Sequence, residues 1–128
     1  MKAGLTGLVA MVLMACGNQG STLSGTMTVN NPMGSSQAIN GTCTGKQGFE
    51  DLHGGTAVVV KDESGKILAT GSLGTGTAPD RLSCRFAFTL VNIADAKFYQ
   101  VEVAHRGVVT YSKADLDKAG WKVALSLG

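Results

Sequence analysis

The sequence predicts an all-β domain, an antiparallel β-sandwich of about seven short strands with one short helical insertion. Apolar and polar residues alternate over residues 82–90 and again over 98–106, which is typical of strands that bury one face. A β-branched run at 56–61 ends in the turn-forming sequence Asp-Glu-Ser-Gly at 62–65. Because turn signals separate these segments, we expect short strands that pack as two sheets.

The N-terminal half of the domain holds the less regular elements. A first strand is predicted at 22–30, where apolar residues alternate with Ser, Thr and Gly. Residues 31–36 are rich in Asn, Pro, Gly and Ser and predict a turn. Residues 41–55 show no clear period and are predicted to be the least regular part of the domain.

A β-hairpin follows. The run at 56–61 pairs with residues 66–73 across the turn at 62–65. Residues 74–80, which contain Gly, Thr, Pro and Asp, are predicted to form a flexible loop.

The C-terminal half is the most regular. Alternation over 82–90 predicts a strand with an apolar inner face, made of Leu82, Cys84, Phe86, Phe88 and Leu90. The next strand turns Tyr99, Val101 and Val103 inward.

Three elements complete the prediction. Residues 107–111 form a strand, and Ser112 to Asp115 begin a short capped helix. The last strand, at 121–127, has Val123, Leu125 and Leu127 inward, with Trp121 covering an edge of the core.

The N-terminus carries a second kind of signal. Lys2 precedes an apolar run that ends in Leu-Met-Ala-Cys at 13–16, and this ending resembles the lipobox of bacterial lipoproteins. The resemblance implies cleavage before Cys16 and diacylation of its thiol, and two acyl chains anchor a protein stably to a membrane. It divides the chain into a signal peptide at 1–15, a flexible Gly- and Ser-rich tether at 16–22, and the β-sandwich domain at 23–128.

The apolar run at 3–15 is too short to span a bilayer core of about 30 Å and has the length of a signal peptide. A plain secretory signal, in which Cys16 is incidental, is the alternative interpretation. The expected location is the extracytoplasmic face of the cell membrane, with the bilayer as partner through acylated Cys16.

The chain has three cysteines. If Cys16 carries lipid, Cys43 and Cys84 remain as an even pair in an exported protein, which predicts one structural disulfide. Neither has a neighbour at the Cys-x-x-Cys spacing that metal and redox sites use, so no metal or other cofactor is expected.

Charge excludes one class of function. Eleven Lys and Arg residues face nine Asp and Glu, and loss of Lys2 with the signal leaves a net charge of +1. The charges are scattered rather than gathered into a stripe, so we expect no nucleic-acid partner. Residues 41–46 carry the glycines and lysine of a P-loop with one residue too few between the glycines, which argues against a nucleotide site.

The order of four segments, 58–73, 84–88, 98–107 and 125–128, resembles a group of small secreted or lipid-anchored proteins of actinobacteria and their phages. The hairpin pattern Val-x-Val-x-Asp-x-x-Gly also resembles transthyretin-like and carboxypeptidase-regulatory-like sandwiches. These resemblances imply an Ig-like or transthyretin-like fold and an exported location, and bring no catalytic motif.

Two groups of residues are candidates for contacting a partner. Glu50, Asp51 and His53 lie in the irregular segment, where they either form a partner or metal site or are solvated around inward-packing neighbours. His105 and Arg106 lie at a strand end, where exposed His and Arg suit protein contacts or are simply solvated.

The sequence therefore predicts a membrane-anchored lipoprotein that acts as a non-enzymatic binding module for an envelope protein. One alternative is a phage- or prophage-encoded lipoprotein that blocks an envelope receptor and gives superinfection exclusion. Another is a metal-dependent envelope enzyme that uses Glu50, Asp51, His53 or His105.

Overall fold

The computed structural model describes residues 20–30 and 41–128 of the 128-residue chain. The predicted signal peptide, the predicted lipidation site at Cys16 and the predicted turn at 31–36 lie outside the described residues. The first strand begins at Ser21, so the last two residues of the predicted tether, Ser21 and Thr22, are part of that strand.

The predicted all-β class is confirmed, since the described residues form nine strands and one short helix. The elements are β1 (Ser21–Asn30), β2 (Thr42–Cys43), β3 (Ala57–Lys61), β4 (Ile67–Ser72), β5 (Gly76–Asp80), β6 (Ser83–Ile93), β7 (Phe98–Val103), β8 (Val108–Ser112), α1 (Lys113–Lys118) and β9 (Lys122–Leu127).

The strands form two sheets that enclose one core. Sheet A has the order β2-β5-β6-β1-β9 and sheet B the order β4-β3-β7-β8. All strand pairs are antiparallel except β1 with β9, which are parallel and form one edge of sheet A. The arrangement agrees with the predicted antiparallel β-sandwich, to which β9 adds one parallel edge pair.

Local signals set the ends of several elements. Asp62 Oδ1 accepts hydrogen bonds from Ser64 N at 2.8 Å and Lys66 N at 3.0 Å, and Gly65 has a φ of 86°, so the predicted β3–β4 turn is confirmed. The predicted helix α1 is confirmed as well. Ser112 Oγ accepts from Asp115 N at 3.0 Å, and the Asp115 carboxylate accepts from Ser112 N at 3.2 Å.

Two predictions around residues 74–82 are wrong. The segment predicted as a flexible loop contains β5, which lies between β2 and β6 in sheet A. Leu82, predicted to face the core, is 58 % exposed. Leu82 lies in the β5–β6 turn, where Asp80 Oδ1 accepts hydrogen bonds from Leu82 N and from the Ser83 hydroxyl. Because β6 begins only at Ser83, the apolar–polar alternation of the strand does not extend back to Leu82.

The core is built from the inward residues of both sheets, as the alternation predicts for the other strands. Fully or nearly fully buried side chains from β1, β6 and β7 include Leu23, Met27, Val29, Cys84, Phe86, Phe88, Leu90, Tyr99, Val101 and Val103. On β9, Leu125 is buried and Val123 and Leu127 pack partly against the core. Trp121 packs edge-on against Tyr99, with ring centroids 5.1 Å apart.

The predicted disulfide is confirmed as a pair at bonding distance, with Cα atoms of Cys43 and Cys84 5.9 Å apart. It connects β2 at the edge of sheet A to β6, past the intervening strand β5. A Cβ atom on Gly76 of β5 would lie 2.8 Å from Cys84 Sγ and 2.4 Å from the Cys43 carbonyl oxygen. Only glycine fits here without displacing its neighbours.

The sandwich has two ends, the entry end and the far end. The entry end holds the start of β1 and the β3–β4 and β6–β7 turns, which are joined because Glu63 Oε1 accepts from Lys97 N and Phe98 N at 3.0 and 3.2 Å. The far end holds the loop at 44–56 and the β7–β8 turn at 104–107, because β3 begins opposite the end of β7.

Candidate functional site

The far-end loop, residues 44–56, covers most of the segment predicted to be the least regular, 41–55, and its own backbone hydrogen bonds hold it. Gly45 N donates to Leu52 O at 2.8 Å, Phe49 N to Lys46 O and Leu52 N to Phe49 O at 3.0 Å each. Leu52 is fully buried and fixes the loop to the core. The chain turns sharply at Gln47 and Gly48, whose φ angles are 51° and 99°.

The base of this loop is fastened by Thr56. Its hydroxyl donates to Asp51 O at 2.6 Å and accepts from His53 N at 3.1 Å. Because Thr56 is itself buried beside the start of β3, this contact places Asp51 and His53 relative to the sandwich.

Arg106 of the β7–β8 turn clamps the loop from the other side. Its Nε donates to Asp51 Oδ2 at 3.0 Å and its Nη2 donates to Asp51 Oδ1, so the carboxylate is held by two nitrogens. Nη2 also donates to Gly48 O at 2.7 Å, and the guanidinium carbon lies 5.0 Å from the centroid of the Phe49 ring. One side chain thus joins two segments that are more than fifty residues apart.

The electrostatics of this pair favour the charged forms. The hydrogen bond from Arg106 holds the pKa of the Asp51 carboxyl below its ordinary value of 3.8, and the same bond raises the pKa of Arg106. The side chains remain 44 % and 27 % exposed, so water screens the pair and its contribution to stability is small.

The structure places the five predicted contact residues as follows. Asp51 and Arg106, predicted as members of separate groups, are in direct contact. Glu50 accepts a hydrogen bond from Gly48 N at 2.9 Å within the same loop. His53 is exposed with Nδ1 2.9 Å from Gly54 O, and His105 is exposed next to Arg106.

A metal site at these residues gains no support from their geometry. Among the described residues, no group of three or more His, Cys, Asp and Glu side chains is placed to hold a metal ion. The Asp51 carboxylate is already bound by Arg106, and the two histidines belong to different segments.

The sequence reasoning missed a groove beside the loop. It has a volume of about 380 Å³ and is lined by Thr42, Cys43, Thr44, Lys46, Gly54, Thr75 and Gly76. Threonine hydroxyls, glycine backbone and one lysine supply its polar groups, and the rest of its lining is apolar. The only sequence signal was the small and polar composition of 41–46 and 74–77, which is equally typical of loops.

The far end therefore presents one composite surface, which we call the clamped apex: the loop at 44–56, the turn at 104–107 and the adjoining groove. In the part of the chain that the structure describes, no helix is long and apolar enough to cross a bilayer. Comparisons with protein-family models, curated proteins and solved structures found no match for this chain.

Proposed function

We propose that the chain is a membrane-anchored bacterial lipoprotein, held at the extracytoplasmic face of the cell membrane through acylated Cys16. Its β-sandwich acts as a non-enzymatic binding module that presents the clamped apex to an envelope protein. The observation that carries the binding part of the proposal is the Asp51–Arg106 contact, which joins two surface segments into one solvent-facing unit.

Rigidity is what this contact contributes to binding. A loop that is fixed before a partner arrives loses less conformational entropy when the complex forms. Here the loop is fixed by the buried Leu52, by Thr56 and by Arg106, while Glu50, His53 and His105 stay exposed around the clamp. Arg and aromatic side chains such as Phe49 are among the residues enriched at protein interfaces.

The direction of the chain supports the same proposal. β1 begins at the entry end, five residues after Cys16, and runs for ten residues toward the far end. A strand of that length covers roughly 30 Å. An anchor at Cys16 therefore leaves the apex on the side of the domain away from the membrane, where a partner can reach it.

The anchoring part is tested by mass spectrometry of the N-terminal peptide from the protein expressed in a bacterium with a lipoprotein-processing pathway. We expect cleavage before Cys16 and a mass increase equal to its acyl chains. Substitution Cys16→Ala should abolish the mass increase and should either release the protein or strand it with its signal peptide uncleaved. An unmodified Cys16 in the mature wild-type protein would contradict the anchoring.

The binding part is tested by site-specific photo-crosslinking in the native envelope. A crosslinker at Gln47 or at His105, both exposed on the apex, should yield the same saturable adduct, whereas one at Thr70, exposed on β4, should yield none. Arg106→Ala should reduce the adduct by up to about fivefold, because it removes the side chain that joins the loop to the turn. Arg85→Ala, an exposed arginine of β6, is the matched control. Equal adducts from all three crosslinker positions would refute an apex-specific partner.

A further inference from the structure

We infer that the entry end of the sandwich rests directly on the bilayer surface, with Ile67, Val91 and Phe98 in contact with the lipid headgroup and upper acyl region. This inference rests on the lipid anchor proposed at Cys16. It adds an orientation to that anchor: the domain is seated end-on rather than held away from the membrane by a free spacer.

The three side chains share one end of the molecule although they come from different strands. Phe98 opens β7 and is 46 % exposed, and Ile67 opens β4 and is 56 % exposed. The Glu63 carboxylate holds the β3–β4 turn, just before Ile67, against Lys97 N and Phe98 N. Val91, near the end of β6 on sheet A, is 55 % exposed.

Because Val91 lies on sheet A and Ile67 and Phe98 lie on sheet B, their placement favours a surface that contacts both sheets. A protein partner docking on one sheet face would reach either Val91 or the pair on sheet B, but not all three. A flat surface that meets the sandwich end-on reaches both sheets at once. Aromatic and aliphatic side chains in this position enter the interface between headgroups and acyl chains.

The segment between Cys16 and the domain is short enough to keep this end close to a bilayer that holds an acylated Cys16. Gly20 packs against β6 so closely that a Cβ atom on it would lie 2.5 Å from the Asn92 carbonyl carbon, which fixes where the chain enters the sandwich. Cys16 is four residues earlier. Four residues span at most about 14 Å when fully extended, so an acylated Cys16 keeps the entry end within that distance of the lipid surface.

Neighbouring lysines suit the same surface. Lys66 precedes Ile67 and Lys97 precedes Phe98, and both lysines are exposed. Their alkyl stems lie along apolar surface while their ammonium groups reach the phosphate level. Asp62 and Glu63 of the β3–β4 turn balance these two lysines, and Lys113 is paired with Asp95, so the contact of this end with lipid is mainly apolar.

The inference is tested by hydroxyl-radical footprinting of the full acylated protein on phosphatidylglycerol and phosphatidylethanolamine vesicles, with oxidation read residue by residue by mass spectrometry. Leu82 is the internal control, since it is 58 % exposed but lies in the β5–β6 turn away from the entry end. The Cys16→Ala chain, measured with no vesicles present, gives the labelling without a bilayer. Relative to Leu82, we expect Phe98 and Ile67 to be labelled at least threefold less on vesicles than in Cys16→Ala.

A second measurement uses the sole tryptophan, Trp121, which precedes β9 beside Ser24 near the entry end. Lipids brominated close to the headgroup should quench its fluorescence in the acylated protein. The double variant Ile67→Ser/Phe98→Ser should lose most of this quenching while still floating with the vesicles, and Leu82→Ser should keep it.

The outcomes separate the inference from the function on which it rests. If Cys16 is acylated and the protein floats with vesicles, but Phe98, Ile67 and Leu82 keep the labelling ratios of Cys16→Ala, the domain stands off the bilayer and the inference is overturned while the anchor survives. If Cys16 carries no acyl group, the anchor and the seating are both wrong.

Discussion

At the scale of single residues, the disulfide between Cys43 and Cys84 restricts position 76 to glycine. The disulfide between β2 and β6 passes the strand between them, and at Gly76 the inner face of that strand has no room for a side chain. A Cβ atom would meet the Cys43 carbonyl oxygen at 2.4 Å and the Phe86 ring at 2.6 Å. Backbone, disulfide and a fully buried ring cannot all move aside.

Gly76→Ala should therefore lower the free energy of unfolding by about 1–3 kcal/mol, the usual cost of overpacking a core. Chemical denaturation of the oxidised protein measures the change. Gly54→Ala is the matched control, because its Cβ would meet nothing closer than 3.5 Å and should change stability by less than about 0.5 kcal/mol. Equal stability of the two variants would show that the disulfide does not crowd Gly76.

At the scale of elements, alternation predicts best the strands whose face is decided by burial. β6 and β7 follow the predicted alternation because their inward residues fill one core. β5 was missed because its composition is typical of a loop, and its strand character comes from pairing with β6 and β2. Leu82 was wrongly predicted to face the core because the apolar–polar alternation of the sequence extends into the turn that Asp80 forms, where it no longer reports burial.

The clamped apex could be predicted only in part. Sequence patterns singled out Asp51 and Arg106 as polar residues in an irregular segment and at a strand end. Nothing in the sequence joins two positions 55 residues apart. Their contact follows from the pairing of β3 with β7, which brings the two segments to one end, and pairing over that distance has no local signal.

The contact between the loop and the turn at the apex should open more often in acid. Because the pKa of Asp51 is lowered in the folded protein, the pair contributes its full stabilisation above the ordinary value of 3.8 and loses it as pH falls through the lowered value. The contribution of an exposed pair is about 0.2–1 kcal/mol, so local opening should increase by at most about fivefold. Hydrogen exchange at Gly48 to Leu52, compared after correction for intrinsic rates between neutral pH and the lowest pH at which the sandwich stays folded, measures it.

Asp51→Asn is the control for this effect, because it keeps the side-chain shape and removes the titrating group. The variant should already show the acid-like opening at neutral pH and should change little on acidification. If the wild-type loop opens equally at both pH values, the Arg106 contact does not hold it.

At the scale of the whole molecule, the disulfide holds the start of the far-end loop against the core. The loop begins immediately after β2, and the disulfide fixes Cys43 of that two-residue strand to the fully buried Cys84. β2 itself pairs with β5 over only two positions. Without the disulfide, the edge of sheet A and the first residues of the loop depend on very few contacts.

Loss of the disulfide should therefore reduce global stability more than any single contact described above. Its cysteines are 41 residues apart, and closing a loop of that size contributes roughly 4 kcal/mol in the chain-entropy model. Because small domains have about 5–15 kcal/mol in total, the double variant Cys43→Ala/Cys84→Ala should melt roughly 15 °C or more below the wild type. Circular dichroism melts with and without reductant measure this. Reductant should destabilise the wild type and leave the variant unchanged, whereas a variant that melts within a few degrees of the oxidised wild type would show that packing alone holds the edge of sheet A.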